Sequence, residues 1–228
     1  IESFIDRSLK NLGVECIDLL QLHCPPSDVC SKKETYEMMD DIVKKGKILH
    51  YGVSVEKVSE AMDAIQFPNV KSIQIIFNMF RQKPSEEFFK EAAQRNVAII
   101  ARVPLASGLL TGKMTKDSSF PANDHRNYNI NGEAFDVGET FSGVSFEKGL
   151  LAVEELKKII PAQYTLADFA LKWILMHPEV TVAIPGAKNK QQASMNVKSV
   201  NLDEISALLP SIKDIYDKYL KEDIHQRW

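Results

Sequence analysis

Cysteine is scarce in this chain, with only Cys16, Cys24 and Cys30 among 228 residues and no C-x-x-C pair. Disulfide frameworks and zinc or redox motifs need more thiols at paired spacings, so no metal site is expected and the thiols read as free in a reducing compartment. Long apolar runs are lacking as well. No stretch approaches the roughly 18 residues that cross a bilayer. The opening residues show no basic segment followed by an apolar one, so a cytoplasmic protein with no membrane partner is expected. Positive charge is not in surplus: 28 Lys and Arg against 31 Asp and Glu give a net charge of −3, which argues against nucleic acid as a partner. Low-complexity tracts, internal repeats and dividing linkers are absent too. With 44% hydrophobic residues the chain can bury a core as one domain over 1–228.

What is present is an alternation. A helix predicted over 2–12 ends at Gly13, and the apolar run 17–22 ends in His23, Cys24, Pro25 and Pro26. Such a run reads as a buried parallel strand that delivers one imidazole to a sheet edge. Ligands collect at the carboxyl ends of strands in α/β folds, so His23 stands where a reacting group belongs, although a neighbouring carbonyl would also satisfy it there. Helices then follow over 34–45, 56–65 and 85–95, alternating with strands over 48–55, 72–77 and 97–103. A long connection at 109–144, rich in Gly, Asn, Asp and Ser, exceeds ordinary loop length and is expected to be functional or mobile. Helices over 146–160 and 165–176, a fifth strand over 180–184, and helices over 189–197 and 202–219 complete the pattern. Strands alternating with helices imply βαβ crossovers and a parallel sheet, while periodicity alone does not choose between an open sheet and a closed barrel.

The motifs decide more than the periodicity. Ser8 to Gly13, Ile17 to His23, Tyr51-Gly52-Val53-Ser54, Gln74, Pro104 to Lys113, and Ile184-Pro185-Gly186-Ala187-Lys188 with Gln192 and Asn196 follow in order. Together they resemble the signature of the aldo-keto reductases, closest to bacterial members and to relatives of potassium-channel β-subunits. The resemblance implies an α/β fold, the (β/α)8 TIM barrel, of which this chain looks like the last five βα units with the first three missing. It also implies a nicotinamide cofactor and the reduction of aldehydes and ketones to alcohols, with a small-molecule carbonyl as substrate.

The same resemblance assigns roles. His23 would hydrogen-bond the substrate carbonyl, and Ser54 and Gln74 would grip the nicotinamide carboxamide. Val55 follows Ser54 where the family often has asparagine or arginine. Arg102 stands where an aromatic ring commonly stacks on the nicotinamide, and its flat guanidinium suits that place; a salt-bridged arginine at the sheet edge is the plainer alternative. Pro104, Leu105, Ala106, Ser107 and Lys113 belong to the pyrophosphate loop, with Arg126 as a further phosphate contact. Gly108 and Gly112 do not make a nucleotide P-loop, because their spacing is short by one and Met114 replaces the hydroxyl residue. Gly186, Lys188, Gln192 and Asn196 would meet the adenosine end. Lys188 opposite a 2′-phosphate favours NADPH over NADH.

The proton donor is missing from this pattern. The family's aspartate, tyrosine and lysine precede the helix at 2–12, and no tyrosine here sits in the expected Asp-x-x-x-x-Tyr context of a second strand and the helix after it, Asp214 to Tyr219 matching that spacing only inside the helix predicted over 202–219, so the chain alone is expected to be nearly inactive. Exposed sheet edges would also invite oligomerisation. The alternative is a non-catalytic, NADPH-binding redox-sensing module similar to channel β-subunits; a weaker one is an unrelated phosphate-binding barrel. Cys24, Phe77, Met79, Phe80 and Phe141 are expected to wall the substrate space.

Overall fold

The computed structural model describes residues 1–203 and 205–228. Helix α1, Glu2–Leu12, closes at Gly13, whose φ of 68° is open to glycine and costly for other residues. There follow β1 (Ile17–His23), α2 (Ser27–Cys30), α3 (Lys33–Lys44), β2 (Ile48–Val55), α4 (Val58–Ala64), β3 (Val70–Ile76), α5 (Phe88–Gln94) and β4 (Ala98–Arg102). After a long connection holding the short α6 (His125–Tyr128) come α7 (Phe146–Ile159), α8 (Leu166–Leu175), β5 (Val180–Ala183), α9 (Lys190–Lys198), α10 (Leu209–Tyr219) and α11 (Lys221–Ile224).

The strands form one sheet in chain order, β1-β2-β3-β4-β5, with every pair parallel. This is the α/β architecture of consecutive βα units that the alternation implies, and the barrel is not closed by the described residues. β1 is less buried than its apolar run suggests, with Leu19 38% exposed. It lies at one edge of the sheet, so no strand covers its outer side. Several helix limits also move. α4 starts at Val58 because the Glu60 carboxylate accepts from the backbone N–H groups of Glu56 and Lys57, both at 3.0 Å, and fixes them ahead of the helix. The helix read from residue 85 begins at Phe88, since Pro84 sits in a tight turn over Lys83–Ser85. Of the stretch 202–219, α10 covers only Leu209–Tyr219 and position 204 lies outside the described residues.

Alternation along the strands sorts the two faces. Tyr51, Val53 and Val55 are buried toward the helices, and the Tyr51 hydroxyl donates to Asp40 of α3 at 2.7 Å. Tyr36 of α3 stacks on Phe67 with ring centroids 3.9 Å apart. Further along, Phe77 stacks on Trp173 of α8 and meets Phe89 of α5 edge-on. Each such side chain contributes roughly 1.5–3 kcal/mol on burial. The opposite face carries Gly52, Ser54, Ser72 and Gln74. Gly52 sits at a register shift against β3, and a Cβ there would stand 2.4 Å from the Ser72 carbonyl oxygen. Only glycine lets the two strands approach so closely.

Candidate functional site

One hydrogen-bonded row crosses the sheet near its carboxyl end. His23 pairs with Ser54, Ser54 with Gln74, and Gln74 with Ile100. Because parallel partners in register point to the same side, His23, Ser54 and Gln74 project from the face turned away from the helices. His23 is exposed and Gln74 half-buried, whereas Ser54 is fully buried. Gln74 also donates to Gln21 Oε1 at 3.4 Å, and Gln21 donates to Ser72 Oγ at 2.8 Å, giving this face a polar centre.

Above that row lies a buried ionic cluster. Arg102, the last residue of β4, places Nη2 2.8 Å from Glu56 Oε1 and 3.1 Å from the Val55 carbonyl, and its Nη1 pairs with Glu139. Cys24 follows β1 with a φ of 42°, and this turns its thiol toward Glu56 Oε1 at 3.4 Å and Ser54 Oγ at 3.7 Å. Arg81 donates through Nη2 to the Glu56 carbonyl. Burial pushes the Glu56 carboxyl up to about 7 against the pull of Arg102, and the Cys24 thiol up to about 11. Burial likewise pulls Arg81 down to about 10. The ligand atoms of Cys24, Glu56 and Glu139 lie within 4.8 Å of one another, but the Arg102 guanidinium already contacts all three. Arg102 is therefore ion-paired, on an interior strand and not at a sheet edge.

The chain leaves β4 through a strained turn. Val103, Ala106 and Ser107 take φ of 52°, 47° and 53°, followed by Gly108 at 100°. Side chains other than glycine rarely hold such angles, and clusters of them mark places where backbone groups are aimed for use. Pro104 and Ala106 are buried, Leu105 and Ser107 half-buried, and Lys113 exposed. Ser107 Oγ donates to the Glu139 carbonyl at 2.9 Å and accepts from Phe141 N at 3.0 Å, tying the turn to the long connection. Arg126 reaches the same turn: its Nη1 lies 3.4 Å from the Ser107 carbonyl, while Asp124 grips it at 2.6 and 2.9 Å. That grip holds the Asp124 carboxyl well below the usual carboxylate range.

At the end of β5 a third group forms. Lys188 N donates to Gln192 Oε1 at 2.7 Å, and Asn196 Nδ2 donates to the Gly186 carbonyl at 3.3 Å. Asn189 caps α9 by accepting from Gln192 N at 2.9 Å. Gly186, Lys188 and Gln192 are exposed beside this helix start, which is a surface suited to an anion.

The sequence model of the aldo/keto reductase family matches residues 1–209. The chain belongs to the aldo/keto reductase family. Aldo-keto reductase YhdN of Bacillus subtilis is 31% identical over 191 residues, which is 82% of this chain and 54% of that protein. A probable voltage-gated potassium channel subunit beta of Arabidopsis thaliana is 29% identical, over 94% of this chain and 65% of its own length. The solved glycerol dehydrogenase AKR11B4 of Gluconobacter oxydans superposes with a TM-score of 0.72 at 27% identity, covering 98% of this chain and 64% of that one. The chain thus spans about half to two thirds of the aldo/keto reductases it matches.

Sequence reasoning placed the polar row but not the cluster above it. Glu56, Arg81 and Glu139 are far apart in the chain, and charged residues ordinarily read as solvated surface. The expected wall residues divide. Cys24 borders the ionic cluster, whereas Phe77, Met79, Phe80 and Phe141 are buried in the hydrophobic core at 1% exposure or less. Phe77 is held there by Trp173 and Phe89, on the helix side of the sheet.

Proposed function

We propose that this chain supplies the cofactor-binding mouth and the carbonyl-orienting histidine of an NADPH-dependent reductase of aldehydes and ketones. The observation that carries the reading is the shared register row of His23, Ser54 and Gln74, beneath Arg102 and beside the strained 103–108 turn. The residues suit a nicotinamide dinucleotide. A carboxamide offers one acceptor and two donor hydrogens, which a hydroxyl and an amide side chain complement, and Arg102 Nε is buried without a partner. Gripping the carboxamide would require Ser54 Oγ to give up its 3.7 Å contact with the Cys24 thiol. The backbone of 104–107, with Lys113 and Arg126, would hold the pyrophosphate, and Gly186, Lys188, Gln192 and Asn196 would hold the adenosine end. Lys188 makes NADPH the preferred form over NADH.

When bound, the cofactor supplies a hydride. His23 donates a hydrogen bond to the substrate carbonyl, fixing its oxygen and stabilising the negative charge that develops there. Among the described residues, the hydroxyls of Tyr36, Tyr51, Tyr164 and Tyr216 are engaged by the Cys30 carbonyl, Asp40, Asp203 and His225, and Tyr128 and Tyr219 lie in α6 and α10, so the proton for that oxygen is expected from outside this set. We therefore expect these 228 residues alone to be nearly inactive. Domain extent over 1–228, the 109–144 connection as a cofactor-side loop, and a cytoplasmic location belong to the same proposal.

Turnover of a generic aldehyde by the intact gene product, followed through loss of NADPH absorbance, tests the reading. His23→Ala lowers kcat/KM by roughly 10²–10³; undiminished turnover contradicts it. The second reading is a redox-sensing NADPH module without turnover, favoured by the likeness to a channel subunit. Cofactor binding with no reduction of any aldehyde by the intact protein would select it.

A further inference from the structure

The contacts around Arg102 close into a ring. Arg102 pairs with Glu139, which ends the turn Val137–Glu139. Asp136 starts that turn: its Oδ1 accepts from Gly138 N at 2.7 Å and from the Trp228 indole Nε1 at 3.1 Å. The Trp228 ring lies against the Arg81 guanidinium, 4.0 Å from its carbon to the ring centroid. Arg81 donates to the Glu56 carbonyl, and Glu56 returns to Arg102 at 2.8 Å. Trp228 is only 6% exposed. Its ring rests on two glycines, since a Cβ at Gly143 would come within 2.1 Å of it and one at Gly138 within 3.2 Å. The turn before it is fixed separately, with His225 bridging the Tyr216 hydroxyl at 2.9 Å and Glu86 at 3.1 Å.

We propose that Trp228 is a positioning residue for the mouth: it completes this ring and so holds segment 136–143 and Arg102 in the geometry that grips the cofactor. An indole does this with two separate contacts. Its N–H has no role except as a donor and takes the Asp136 carboxylate, while its face takes a guanidinium that is removed from water, where cation–π attraction is strongest. Removing the ring frees Asp136 and Arg81 together, on both sides of the Arg102–Glu56 pair. The binding half of this inference rests on the proposed NADPH reading; the structural half does not.

The test is amide hydrogen exchange and NADPH titration on the intact gene product, comparing wild type, Trp228→Ala and Trp228→Phe. In W228A, amides of 136–143 exchange about tenfold faster while β2 and β3 are unchanged, and NADPH binds about tenfold more weakly. W228F keeps the ring face on Arg81 and recovers most of the binding. Exchange at 136–143 that stays at the wild-type rate, or acceleration spread evenly over the sheet, overturns the proposal. So does W228A binding NADPH as tightly as wild type. If wild type binds no NADPH at all, the functional reading falls, and the exchange pattern still decides whether Trp228 holds the segment.

Discussion

Arg102 donates to Glu56 across 2.8 Å with both side chains largely removed from water, so deleting the guanidinium leaves the ionised carboxylate buried without its partner. Removing one partner of a buried pair typically costs about 3–5 kcal/mol. Arg102→Met therefore lowers the unfolding free energy by that order, read from urea unfolding as the midpoint times the m-value, and R102M/E56M recovers part of the loss because both charges leave together. Glu139→Gln costs less, since Glu139 keeps a quarter of its side chain in solvent. Additive losses in the double variant would show that the pair is not coupled.

The same cluster gives a pH signature. Burial raises the Glu56 carboxyl from 4.5 to about 7, so the folded state binds its proton more tightly than the unfolded chain does. Its stabilising contribution is complete below pH 4.5 and is lost as pH rises through about 7. Asp124 acts in the opposite sense, its depressed carboxyl giving stability that is lost as pH falls below its ordinary range near 3.8. Unfolding midpoints of wild type and Glu56→Gln, measured across this range, should diverge as pH rises toward neutrality, with wild type losing ground. Parallel curves would contradict the assignment.

Gly52 carries a steric prediction. A methyl group there meets the Ser72 backbone carbonyl at 2.4 Å, and backbone cannot rotate away as a side-chain tip can. Gly52→Ala should cost about 1–3 kcal/mol through overpacking, read as a lower melting temperature. Gly186→Ala, with nothing within 4 Å of the added carbon, serves as the control.

Much of this fold is written locally. The run 48–55 is a strand because β-branched and apolar residues fill a sheet buried beneath helices, the stretch at 180 is one through its β-branched Val180, Thr181 and Val182 at the sheet edge, and Gly13 ends α1 through its own φ. The row of His23, Ser54 and Gln74 was legible as three strand ends, and the register supplied the fact that they share a face. Helix α2, directly after Pro25 and Pro26, escaped notice because a single turn has no periodicity. The ring through Arg81, Glu56, Glu139 and Trp228 was invisible for a different reason. It joins residues from four distant segments through contacts that exist only after the 136–143 turn folds over the sheet.

The most direct test of the central claim, that the strand ends and the start of α9 serve one extended dinucleotide, is NADPH fluorescence titration of the intact protein with wild-type Lys188 and with Lys188→Ala. Loss of a charge-assisted phosphate contact of about 1.5–3 kcal/mol predicts NADPH affinity weakened by about tenfold or more while NADH affinity stays unchanged. Equal effects on both cofactors, or no binding of either, would contradict it.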